Sequence, residues 1–266
     1  MSFKSFPLFI IIVWAVFAIF GPFMPLDPDA IDLHKILHGP DLDSLLGYDD
    51  LGRPILDRMI MGAQTSFIVA LWVTCISMLV GTAIGASSAY FGGWFDLIIV
   101  RVIDVFLAVP GILLAIAFAG IMGPGIENVV IALSIVGWVG FARLSRAQVM
   151  ALKHRDHVQA AVSLGTGSFT IIRRHLLPLI SAPLIVESTF SIAGVVIAEA
   201  GLSFLGLGVQ PPDASWGSMI RDGTAYMLVA PHMVISPGIA MILIVLAVNL
   251  LGDRLRDKLD VRSRKQ

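Results

Sequence analysis

"HVQAAVSLGTGSFTIIRRHLLP" (residues 157–178) interrupts a chain that is otherwise strongly apolar, and the architecture can be read outward from it. It divides into two short amphipathic pieces around Gly165-Thr166-Gly167. The first places Val158, Ala161 and Val162 at i, i+3 and i+4, one face of a helix. The second presents Phe169, Ile172 and Leu176. Ala160 and Ala161 are small enough for another backbone to come close. Gly165 and Gly167 supply the sharp turn between the pieces, because glycine alone takes positive φ freely. Arg173 and Arg174 mark a polar boundary, and Pro178 opens the next apolar run where a missing N–H costs least. Such a segment could rest on anionic lipid. Two pieces meeting at an angle suit insertion into a protein groove better.

The surroundings are those of a membrane protein. Of 266 residues, 57% are hydrophobic and 14% charged, against about 25% charged in a soluble domain. The mean hydropathy is +0.88. Cys75 is the single cysteine, which excludes a disulfide framework and suits simple packing. The N-terminal apolar run is followed by no small-x-small cleavage pattern, so it reads as a retained span.

A spanning helix takes about 20 mostly apolar residues. Charge-free windows fall at 5–26, 59–95, 105–126, 128–142, 188–198 and 223–252. The fourth extends to Ala151 if Arg143 and Arg146 snorkel, and the fifth reaches back to Leu177 if Glu187 avoids lipid. The expected architecture is all-α, with six spans: a first helix in 1–26, an extracytoplasmic loop at 27–58, a core at 59–252 and a tail at 253–266. Within the core, residues 152–178 form a loop on the side of the termini. Lys35, Arg53, Arg58 and Arg221 fall on one side of this arrangement. The other Lys and Arg, from Lys4 to Lys265, fall on the opposite side with both termini. The positive-inside rule makes that side cytoplasmic. Acidic residues lean outward, including Asp27, Asp29, Asp32, Asp41, Asp43 and Asp57. Gly81 and Gly85, continued by Ala86 and Ala89, predict close helix packing.

Several chemistries are missing. There is no P-loop, HExxH, GxSxG or paired-cysteine metal signature. His34 and His38 could share a helix face as metal ligands, or be two polar residues on an exposed turn. Asp27, Asp29 and Asp32 lack the Gly and distal Glu of a calcium loop. Glu187 and Glu199 lie within apolar sequence, where a carboxylate marks a pathway or a buried pair. The plain alternative is a helix-to-helix hydrogen bond that fixes packing; Glu187 is balanced between that and a pathway, and Glu199, near the outer end of its span, leans toward the mouth of a pathway.

Gln159-Ala160-Ala161, three residues, Gly165, nine residues, His175, then Leu177-Pro178 resembles the EAA loop of binding-protein-dependent ABC importer permeases. Residues 46–67, 89–117, 135–152, 198–217 and 249–260 are similar to the dipeptide/oligopeptide/nickel branch, and to its second, "C"-type permease. The resemblance implies the type I importer permease fold in a bacterial inner membrane. It also implies transport of dipeptides or oligopeptides, or alternatively of nickel or a metal chelate. Implied partners are a homologous permease, two cytoplasmic ATPases and an external substrate-binding protein, with lipid around them and no nucleic acid. The chain itself would hold no cofactor and no metal and would catalyse nothing, ATP and Mg belonging to the ATPases. On this resemblance Gln159, Ala160, Ala161, Gly165, Leu177 and Pro178 take the coupling positions. Asp49, Asp50, Gly52 and Arg53 match an outer-loop signature, structural or in contact with the binding protein. Two departures stand out: Gln159 replaces the family's Glu, with Asp156 a possible substitute charge, and His175 replaces an apolar residue.

Overall fold

In the computed structural model the chain is helical, and residues 5–42 and 44–259 are described. Lys4, Asp43, Asp260 and the basic residues Arg262, Arg264 and Lys265 lie outside the described residues. The elements are α1 (Phe6–Phe20), α2 (Ile55–Phe91), α3 (Gly93–Leu107), α4 (Gly111–Met122), α5 (Ile126–Leu152), α6 (Asp156–Ser163), α7 (Ser168–Thr170), α8 (Leu177–Phe204), α9 (Trp216–Thr224) and α10 (His232–Leu259). A π-helical stretch, Ile171–Leu176, joins α7 to α8 without a break. No strand occurs among the described residues; one isolated bridge pairs Tyr48 with Pro54.

Five helical runs are long and apolar enough to cross a membrane, and α3 with α4 makes a sixth if that pair counts as one span. The pair is bent by 86°. This differs from the third window expected at 105–126, which straddles the bend. Pro110 explains the break: its ring disfavours helical backbone at Val109, so α3 stops at Leu107 and a new helix starts after the proline. The outer loop also ends sooner than expected. α2 begins at Ile55, so Arg58 belongs to that helix and not to the loop. The last helix begins at His232, and α9 is a separate short helix whose N-terminus Ser215 and Ser218 close as a capping box.

α2 and α5 form the spine. Gly81 and Gly85 bring them together as the GxxxG spacing predicts. A Cβ on Gly81 would strike Trp138 O and stand 2.8 Å from Phe141 Cβ, and one on Gly85 would strike Ala142 O. Apolar clusters then close the two ends of the bundle. At the outer-loop end, Trp14, Ile55, Ala63, Trp216, Met233 and Ile244 join α1, α2, α9 and α10. The Trp14 indole donates to Ala63 O at 3.1 Å, and that of Trp216 to Met59 O at 3.1 Å. At the other end, Ala86, Phe141, Val149, Val158, Ile171 and Leu176 seat α6 and the π-helical stretch on α2 and α5.

Candidate functional site

The segment 152–178 leaves the bundle at the end of α5. Arg155 is extended, and α6 follows as an eight-residue helix. Val158 and Ala161 are buried, whereas Gln159, Ala160 and Val162 are exposed. The expected apolar face therefore loses Val162, which turns outward beside Leu164 at 86% exposure. α6 ends in a Schellman turn. Gly165 at φ +77 donates to Val162 O at 2.9 Å, and Thr166 donates to Ala161 O at 3.1 Å. Gly167 has φ −64, so Gly165 alone makes the turn.

Beyond the turn, the second piece is continuous with α8. The run from Ser168 to Phe204 is 37 residues long. Its buried face is Ile171, Leu176 and Ile180, not the Phe169–Ile172–Leu176 stripe, and Phe169 is 75% exposed. The π-helix is the reason: with bonds from i to i+5, Ile171 and Leu176 align where an α-helix would rotate them apart. Leu177 is half-buried and Pro178 is exposed. The loosened turn accommodates a proline that cannot donate. His175 is half-buried within it.

Charged contacts brace the base of α6. Arg146 of α5 grips Asp96 of α3 in a bidentate pair, both bonds 2.7 Å, and Ser88 of α2 donates to the same carboxylate at 2.6 Å. Lys153 donates to Ala89 O at 2.7 Å, satisfying a carbonyl at the end of α2. Gln159 Nε2 donates to Lys153 O at 3.0 Å. A carboxylate could not make that bond, so the departure from the family's Glu has a local use. Asp156 occupies the first turn of α6, where an acid suits the helix dipole.

The outer signature folds the loop onto the helices. Asp49 Oδ1 accepts from the N–H groups of Leu51 and Arg53, both at 2.9 Å, and Oδ2 accepts from Arg53 Nε at 2.7 Å. Arg58, 3% exposed, lies 3.5 Å from Asp49 and 3.4 Å from Asp29, and it donates to Pro28 O and Pro212 O. Gly52 has φ +74, and a Cβ there would strike Asp32 O. Burial, reinforced by Asp49, pushes the Asp50 carboxyl up. These contacts favour the structural role for Asp49, Gly52 and Arg53. Sequence reasoning gave Arg58 no site role and met Asp29 as a ligand only in the discarded calcium loop; the signal available was a lone arginine next to an apolar run.

The two intramembrane acids differ. Glu199 is 1% exposed, and its carboxylate accepts from Ser66 at 3.1 Å and Ser203 at 2.7 Å. It sits inside the subunit's packing, which favours the helix-to-helix reading over the mouth of a pathway. Glu187 is half-buried and lines a cavity of about 590 Å³. His34 lies in a short 3-10 turn ending at Lys35, so His34 and His38 do not share a helix face. Among the described residues no three His, Cys, Asp or Glu side chains converge on a metal position.

Five or six helices of membrane-spanning length, with a small hinged helix at one end, define a multi-span membrane subunit. The family described as binding-protein-dependent transport system inner membrane component matches residues 81–265. The glutathione transport system permease protein GsiD of Pectobacterium atrosepticum is 41% identical over 254 residues, 95% of this chain and 84% of that protein. The protein of that name from Escherichia coli O6:K15:H31 is 42% identical over the same shares. Two inward-facing structures of the MetNI methionine ABC transporter share the fold. They have TM-scores of 0.63 and 0.61 at 15% and 16% identity, and each match covers 76% of this chain and 97% or 95% of theirs. The chain belongs to this family: it is the inner-membrane permease of a binding-protein-dependent ABC importer, a transport component and not an enzyme.

Proposed function

We propose that the chain forms half of a path for short peptides and couples it to ATP hydrolysis through α6. The observation that carries the substrate class is the 41–42% identity, over 95% of the chain, to proteins named as glutathione permeases. Glutathione is a tripeptide, within the dipeptide and oligopeptide class that the residue patterns resemble. A homologous permease supplies the other half of the path, an external binding protein delivers the peptide, and two ATPases hold ATP and Mg. The α6 end of the bundle is the cytoplasmic one, a reading that the excess of Lys and Arg on that side supports.

Coupling follows from the local build. Exposed Ala160, Val162 and Leu164 offer a small apolar face to an ATPase groove. Val158 and Ala161 hold the opposite face on α2, α5 and the π-helical stretch. Gln159, Lys153 and the Arg146–Asp96 pair stiffen that base. Movement of α6 on ATPase closure is therefore passed to the long helices as a unit. The glutamine at 159, the Gly165 turn and the Leu177-Pro178 step are the coupling elements of this scheme.

The test is reconstitution of the complete importer with its binding protein in liposomes. Glutathione is expected to stimulate ATP hydrolysis and to accumulate inside. If glutathione and a panel of dipeptides fail to stimulate while a nickel chelate succeeds, the peptide assignment is wrong.

A further inference from the structure

Glu187 has no part in the coupling scheme. It lies on α8, and its carboxylate rests against α5: a Cβ on Gly140 would stand 3.5 Å from Oε1. With Gln148 of α5 and Arg256 of α10 it lines the cavity of about 590 Å³, whose apolar walls include Leu144, Pro183 and Phe190. That volume falls within the roughly 300–1,000 Å³ of small-molecule sites. Among the described residues, none of Glu187, Gln148 and Arg256 makes a side-chain hydrogen bond or an ion pair. A carboxylate placed in apolar sequence is costly unless it meets a partner. Here an anion, a cation and an amide border one cavity without engaging one another. A second cavity, about 520 Å³ at the outer-loop end, is lined by Asp29 and Asp213 and by no basic side chain. Of these two cavities, the Glu187 cavity is the one that offers opposite charges.

We infer that the Glu187 cavity is a binding subsite for a zwitterionic short peptide, its ammonium facing Glu187 and its carboxylate facing Arg256. Gln148 hydrogen-bonds the peptide between them. The subsite lies at the α6 end of the bundle, since Gln148 is in the last turns of α5 and Arg256 in the last turn of α10. It is thus the inner station of the path, where peptide is held before release. The inference rests on the peptide reading above.

The experiment is equilibrium dialysis of radiolabelled glutathione against the purified permease–ATPase complex without its binding protein. Glu187→Gln and Arg256→Gln are each expected to weaken binding about tenfold, the loss of one charge-assisted hydrogen bond. Arg256 is exposed, so its variant assembles even if the Glu187 variant does not. Variants that bind like the wild type overturn the subsite and leave peptide import intact. So does a wild-type complex that imports glutathione yet binds none without the binding protein. Failure of the wild-type importer to accumulate glutathione instead overturns the peptide reading, and the subsite with it.

Discussion

Asp50 stands beside Asp49, and burial together with that neighbour's charge raises its carboxyl above the ordinary value. A raised folded-state value means that the ionised form is penalised by folding. The stability linked to this group is complete below the ordinary carboxylate range of about 4, and it falls as pH rises through the higher folded value. Asp50→Asn removes that penalty. Its melting temperature should exceed the wild-type value at pH 7, with the gap closing as pH is lowered toward 4. A variant less stable at pH 7 would mean that Arg53, 3.7 Å away, outweighs burial. At this scale the sequence showed which residues were unusual but not what they touch. Glu199 was visible as a carboxylate in apolar sequence, whereas its donor Ser66 is on another helix, 133 positions away. The donor role of Gln159 was likewise hidden, because its acceptor is a backbone carbonyl placed by the end of α5.

Among the elements, the proposed coupling rests on α6 and its hinge. Proline at 165 cannot adopt φ +77, and it would lose the N–H that closes the Schellman turn onto Val162. Gly165→Pro should leave the subunit in the membrane, since no atom lies within 4 Å of a Cβ at that position. Uptake driven by ATP should be abolished. Uptake at the wild-type level in the same liposomes would show that the turn does not transmit movement. Hydropathy located most of the spans because backbone groups in lipid must bond within their own helix. It missed the 86° bend because Pro110 interrupts a run without making it polar. It also missed the π-helical stretch, which shifts the buried face by one position and leaves composition unchanged.

At the level of the whole molecule, the chain is one part of a machine. It has no P-loop, and its small hinged helix projects from the end of the bundle opposite the outer loop. The asymmetry of Lys and Arg was legible in the sequence, and the orientation proposed for coupling rests on it. The convergence of Glu187, Gln148 and Arg256 was not legible, since three separate helices must pack before those residues meet. The central claim, that α6 is where an ATPase docks, can be tested by contact. Ala160→Cys in a Cys75→Ser background, carrying a photoactivatable crosslinker, should transfer its label to the ATPase subunit in the assembled importer. Label found only on lipid or on the external binding protein, and never on the ATPase, would contradict the account.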